Sequence, residues 1–290
     1  MTPLDLATSL GGLNLLALAC IVFIGLPHGA MDGALALHLG WMRQRTKAAV
    51  FLLAYVGLAA AVVLAWFLAP VLTFILFLGI SLLHFGRGDV DDEDASMWLL
   101  ESVARGGLVI AGISQFHRLE TDLVFQTLVG SDTEFVWLCL DAASVVVAAC
   151  ILLVVVRTTG DARRSYVLET IGLATLFAVT PPLVGFAVYF CLVHSARHFL
   201  SMRRIFGEAL AALEIAKPTV VLTLITWGSG IVALAARSSD LALSEAVLQV
   251  VFIGLAALTV PHMILVDGVA PSVHASHVLK ESITRGEVRG

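Results

Sequence analysis

The sequence predicts an all-α fold, a polytopic transmembrane bundle of about eight or nine helices. Hydrophobic residues make up 59% of the 290 positions and charged ones only 13%, about half the charged share of a soluble domain. Mean hydropathy is +0.97. Apolar runs near the ~20 residues needed to cross a bilayer recur along the whole chain. Basic residues gather in short groups between those runs.

Nine candidate spans follow in order, at 10–39, 47–69, 70–86, 97–115, 134–157, 166–180, 182–200, 217–237 and 244–268. The first has no basic leader before it, Asp5 being its only charged neighbour, so it reads as a retained helix and not a cleaved signal peptide. The second and third are divided only by Ala69-Pro70, a tight helical hairpin. The fourth and sixth are weak, which leaves eight or ten spans open. The sixth stops at Pro181-Pro182, where the seventh begins. No linker or repeat divides the chain, so 1–290 reads as one integral-membrane domain with a polar tail from about 270.

Arg43, Arg45 and Lys47 follow the first span; Arg157, Arg163 and Arg164 the fifth; Arg203 and Arg204 the seventh; Arg285 and Arg289 lie in the tail. With nine spans these share one side, which the positive-inside rule makes cytoplasmic. The N-terminus is then outside the cell membrane and the C-terminus inside. The acidic run from Asp89 to Asp94 falls inside too, and acidic residues weigh little in that rule. A net charge of −5 and three lysines (Lys47, Lys217, Lys280) argue against a nucleic-acid partner. Cys20, Cys139, Cys150 and Cys191 stand singly in apolar runs and read as small hydrophobes.

Histidines are the anomaly. His28, His84, His194 and His198 sit inside apolar runs, in GLPHGAMDG, LLHFGRGD and LVHSARHFL. Imidazole in hydrocarbon is costly unless it serves a metal, a proton or a partner. The spans that carry them are the first, third and seventh, which run in one direction, and all four histidines fall toward the cytoplasmic half. His262, in TVPHMILVD on the ninth span, reaches a similar depth. His194 and His198 are spaced i, i+4 on one helical face, a spacing that lets two imidazoles hold one ion. His38, His117, His274 and His277 are expected at interfaces or in the soluble tail.

In the first span Pro27 should kink the helix, and Gly25, Gly29 and Gly33 form a stripe for close approach of another helix. Asp32, four residues past His28, is placed to accept that ring's other N–H and orient it. Gly86 and Gly88 should end the third helix just after His84. Arg197 is expected to turn away toward the interface. Glu169, beside Thr170, is either a second orienting group or the end of a short helix; His262 is a further group lining the cavity. Phe85, Phe186, Tyr189, Phe190 and Phe199 lie near the histidines and are candidates for a tunnel taking a conjugated hydrocarbon. An all-imidazole site suits iron, zinc, copper or nickel, and an apolar setting favours lipophilic substrates or dioxygen over hydrolysis.

PHGAMD, HFGRGD and HSARH, with the later PHM at 261–263, resemble the Brp/Blh family of integral-membrane β-carotene 15,15′-dioxygenases. The resemblance implies Fe(II)-dependent cleavage of the central double bond of β-carotene by O2, giving two all-trans-retinal. It implies His28, His84, His194 and His198 as iron ligands, and a retinal-binding rhodopsin as a product acceptor. A membrane di-iron desaturase or hydroxylase is the nearest alternative, although such enzymes use about eight histidines in several boxes. A b-type haem protein and a metal or proton transporter also use intramembrane histidines. A rhodopsin is disfavoured, since its Schiff base needs a mid-membrane lysine.

Overall fold

The computed structural model describes residues 10–90, 97–206 and 212–269. Asp91 to Asp94, the tail arginines, His274 and His277 lie outside the described residues. Within them every regular element is helical. We number the helices α1 (Gly12–His38), α2 (Arg45–Leu68), α3 (Pro70–Gly88), α4 (98–116), α5 (Arg118–Val129), α6 (Glu134–Arg157), α7 (Gly160–Val179), α8 (182–206), α9 (Ala212–Arg237) and α10 (243–269).

Seven of these, α1, α2, α3, α6, α8, α9 and α10, are long and apolar enough to cross a membrane. α4 and α7 match the two weak candidate spans. Their apolar runs are diluted by Glu101 and Arg105 in α4, and by Asp161, Arg163, Arg164 and Glu169 in α7. α7 begins at Gly160, earlier than its apolar run, because its first two turns are charged and exposed. Outward faces of α2 and α9 carry exposed Leu53, Leu64, Leu224 and Ile231. So much apolar surface belongs against lipid tails.

α5 was not expected, since 116–133 reads as a polar connection. Its buried Thr121, Phe125, Leu128 and Val129 nevertheless recur at helical spacing. The helix packs on α10, and its Asp122 accepts from Thr133 Oγ1 and Trp137 Nε1 at 2.7 Å each, tying it to the start of α6.

The tightest helix pair is α3 with α4. A Cβ on Gly86 would strike the Ser102 carbonyl, and one on Gly106 the Leu82 carbonyl. The third helix therefore does not stop at Gly86 but runs to Gly88, and Gly86 serves backbone-to-backbone approach. The α1 glycines also divide their work. Gly25 faces the Phe190 ring of α8, Gly33 faces Pro218 and Leu222 of α9, and Gly29 faces open space.

α1 is broken by a π turn at Ile21–Gly25 and a bend after Gly29. The Leu26 N–H bonds to the Ile21 carbonyl in the wider π step. By the same step the Val22 carbonyl would need an N–H from Pro27, which has none. Trp227 of α9 supplies it, its indole Nε1 donating at 3.0 Å. A sequence-level kink thus becomes an interhelix latch.

Two apolar cores bracket the middle of the bundle. One joins Leu18, Ile21, Phe85, Val109, Phe177 and Tyr189; the other joins Met31, Leu35, Met202, Phe206 and Leu265. The histidines of α1, α8 and α10 fall in sequence between residues of the first core and residues of the second.

Candidate functional site

The structure brings five histidines from four helices together: His28 on α1, His84 on α3, His194 and His198 on α8, and His262 on α10. Ring centroids of His28 lie 5.3 Å from His194, 5.4 Å from His198 and 5.6 Å from His262. His84 lies 4.9 Å from His194 and 5.1 Å from His262, and His198 lies 5.1 Å from His262. Three of the π turns sit here. Ile21–Gly25 precedes His28, Tyr189–His194 ends on a cluster member, and Ile264–Val269 follows His262. A π turn re-aims the side chains beyond it and is frequent at functional sites.

Hydrogen bonds orient three of the rings. Nδ1 of His28 contacts the Gly25 carbonyl and lies 3.2 Å from Ser195 Oγ, which spends its own proton on the Phe190 carbonyl at 2.7 Å. Nδ1 of His84 donates to Asp267 Oδ2 at 3.1 Å. Nδ1 of His262 donates to Asp32 Oδ1 at 2.8 Å, while Tyr55 donates to Asp32 Oδ2 at 2.8 Å. Acceptors on Nδ1 hold the proton there and leave the Nε2 lone pair free. Nε2 of His194, His198 and His262 are buried with no partner.

Asp32 therefore orients His262 and not His28, the neighbour one turn away. The bend after Gly29 separates the two residues, so i, i+4 no longer means one face. Tyr55 and Ser195 were not foreseen. A phenol in an apolar span was the available signal for Tyr55; nothing marked Ser195 apart from its place between two histidines. Asp267, five residues past His262, reaches His84.

Glu169 does not approach the imidazoles. It takes Arg105 at 2.6 Å and also Arg197, and Arg197 reaches Asp89 at 2.7 Å. Arg197 is thus ion-paired, with its side chain 38% exposed. Asp89 accepts from the Tyr189 hydroxyl at 2.9 Å, so this charged group reaches the site through the wall aromatic Tyr189.

Of the aromatic candidates, Phe85 lies 4.9 Å from His194, Phe190 lies 5.1 Å from His28, and Phe186 stacks on Phe190 at 5.4 Å. Phe85 and Phe186 line a narrow apolar cavity of about 90 Å³ that extends to Phe74 and Phe125. Tyr189 packs in the wall behind Phe85. Phe199 is 48% exposed and faces outward, because its place on α8 is the side opposite the cluster. A larger cleft of about 440 Å³ is lined by Trp41, Phe51, Tyr55, Pro261 and Leu265.

Nitrogen donors, free Nε2 lone pairs and anchored Nδ1 atoms are what a soft-to-borderline transition metal asks for. Imidazoles sharing one ion through bonds of about 2 Å have ring centres about 5 Å apart when adjacent, the spacing seen here. Among the described residues no three His, Cys, Asp or Glu side chains yet converge as a closed ligand set; the rings form an open cage. Its donor chemistry fits a metal.

Comparison with known proteins bears on what such a cage serves. The profile of the family described as Beta-carotene 15,15'-dioxygenase matches residues 19–269. The chain belongs to that family. The match contains all five histidines, Asp32, Tyr55 and Asp267, and stops where the polar tail begins. The chain is 36% identical over 254 residues, 87% of its length, to a Beta-carotene 15,15'-dioxygenase of uncultured marine bacterium 66A03, 92% of which is covered. It is 33% identical over 207 residues to a Probable beta-carotene 15,15'-dioxygenase Blh of Halobacterium salinarum, covering 62% of this chain and 59% of that protein. No solved structure gives a significant match.

Proposed function

We propose that the chain is an iron-dependent dioxygenase that splits the central 15,15′ double bond of β-carotene with O2 to give two all-trans-retinal. The observation that carries this is the cluster of five imidazoles with ring centres about 5 Å apart, three of them with buried, unpartnered Nε2 atoms, inside an apolar helical bundle. We assign His28, His84, His194 and His198 as iron ligands. Bound there, Fe(II) would supply the activation of dioxygen that no protein side chain offers. Family membership and the similarity to the marine bacterial dioxygenase support the substrate class.

The overall change balances without a further reductant. One C=C bond breaks, two C=O bonds form, and each aldehyde takes one oxygen atom of O2. No proton moves, so no acid or base is required near the reacting carbons. The residues instead hold, align and keep dry. Gly25, Ser195 and Asp267 fix ring orientations through Nδ1. Phe85, Phe186 and Phe190 wall the cage with apolar surface against a polyene. Phe85, beside His194, lines the cavity, and Tyr55, which holds Asp32, lines the cleft. Apolar hollows that reach residues of the cage suit a long hydrocarbon substrate.

β-Carotene would enter from the bilayer and the aldehydes return to it, for capture by a retinal-binding partner such as a rhodopsin. We place the chain in the cell membrane with the N-terminus outside and the C-terminus cytoplasmic, on the basic groups after α1, α6 and α8. That placement counts α4 and α7 as spans beside the seven longer helices; α5, at 12 residues, is too short to cross. Expression in a β-carotene-accumulating bacterium tests the activity. Loss of colour with chromatographic appearance of retinal is expected; retained colour with abundant, iron-loaded protein would overturn the proposal.

A further inference from the structure

Four imidazoles complete the assigned ligand set, yet a fifth stands among them on equal terms. His262 faces three of the other rings, at 5.1 Å from His84, 5.1 Å from His198 and 5.6 Å from His28. Of the other rings, only His28 faces as many members of the cage. The His262 side chain is 4% exposed, and its Nε2 has no partner. A buried nitrogen left unmatched is costly. A histidine present only to brace the bundle would be expected to use both ring nitrogens.

What lies behind the ring is more telling. Asp32 is 1% exposed, among the most deeply buried carboxyl groups a helix can carry. A carboxylate there is tolerated only with strong hydrogen bonds. Its two oxygens take the His262 Nδ1–H and the Tyr55 hydroxyl, at 2.8 Å each. Tyr55 comes from α2, Asp32 from α1 and His262 from α10, so three helices converge to hold one imidazole. His84 is held in the same manner by Asp267. A carboxylate on the far nitrogen fixes the tautomer and raises the basicity of a metal-bound histidine.

We infer that His262 is a fifth nitrogen donor to the metal, positioned by the Asp32 carboxylate and the Tyr55 hydroxyl. This rests on the reading of the cage as an iron site. Asp32 and Tyr55 are positioning residues and touch the metal only through the ring. The arrangement also ties the centre to the 440 Å³ cleft, because Tyr55 lines that cleft.

The test uses the purified full-length chain in detergent, stripped of metal and titrated anaerobically with Fe(II) alone. Iron uptake is read by elemental analysis and nitrogen donors by X-ray absorption. The unaltered chain is expected to bind one iron. His262→Ala should lower affinity by 10-fold or more, with one fewer imidazole scatterer, and added imidazole should restore both. Asp32→Asn and Tyr55→Phe should each weaken binding, with Asp32→Asn reaching about 10- to 100-fold. Imidazole should not rescue these two. Full affinity and an unchanged imidazole count in His262→Ala would overturn the fifth donor while leaving the iron site standing. Should His262→Ala not fold, unchanged affinity in both Asp32→Asn and Tyr55→Phe overturns it equally. Absence of iron from the unaltered chain would sink the iron reading itself.

Discussion

Nδ1 of His84 donates to Oδ2 of Asp267 at 3.1 Å, joining the end of α3 to the π turn of α10 across 183 positions of sequence. Arg87, one turn beyond His84, lies 3.7 Å from the other carboxylate oxygen and helps to place it. Asp267→Ala removes the acceptor and frees the ring. Iron retention after dialysis should then fall by about 10- to 100-fold, with Asp267→Asn in between. Equal retention in all three proteins would show that His84 needs no such anchor.

His84→Ala and His198→Ala should each abolish both iron content and retinal formation in a carotene-producing host. The two rings enter from different helices and each is buried, so neither can stand in for the other. Unchanged retinal formation in either variant would remove that residue from the assigned ligand set.

Gly86→Ala and Gly29→Ala differ by one methyl each and should diverge sharply. At Gly86 the added carbon meets rigid Ser102 backbone; at Gly29 it meets open space. Overpacking of this kind costs about 1–3 kcal/mol, so thermal melting of the detergent-solubilised protein should drop for Gly86→Ala alone. Similar melting temperatures would mean that α3 and α4 can slide apart at no cost.

Filling the cavity beside Phe85 should separate substrate entry from metal binding. Leu78→Trp places bulk in the 90 Å³ cavity, away from the imidazoles. Retinal formation should fall about tenfold or more with iron content unchanged. Full activity would move the substrate path to the cleft at Pro261.

Asp122 gives the corner between α5 and α6 a pH signature. Hydrogen bonds from Thr133 and then Trp137 hold its carboxyl below the ordinary aspartate value of 3.8. A depressed carboxyl stabilises the fold above its unfolded value and loses that contribution as pH falls through the folded one. Asp122→Ala should therefore melt below the unaltered chain at pH 7, and the gap should narrow below 3.8. A gap constant with pH would assign the effect to packing.

The fold was readable because its signal is composition summed over long windows; seven of the nine candidate spans are helices long and apolar enough to cross a membrane. α5 escaped because a short helix half-covered by α10 has no long apolar run; only the spacing of Thr121, Phe125 and Leu128 marked it. The histidines stood out as individual anomalies in hydrocarbon. Their partners did not. Asp32 lies one nominal turn from His28, so regular periodicity pairs the two, and the bend after Gly29 undoes that pairing. Tyr55 and Asp267 meet the cage through tertiary contacts between helices far apart in sequence, which no local spacing records.

The π turn at Tyr189–His194 makes the cage a matter of residue count as well as residue type. A π turn holds one residue more than an α turn, and each residue of an α-helix is worth about 100° of rotation. Deleting Leu192 or Val193 would let α8 relax into regular α-helix while leaving every named side chain in the chain. Phe186 and His198 would then no longer keep their mutual direction, and the aromatic wall and the imidazoles could not both face inward. The extra residue acts as a phase setting between two halves of one helix, one half carrying the aromatic wall and the other the imidazoles.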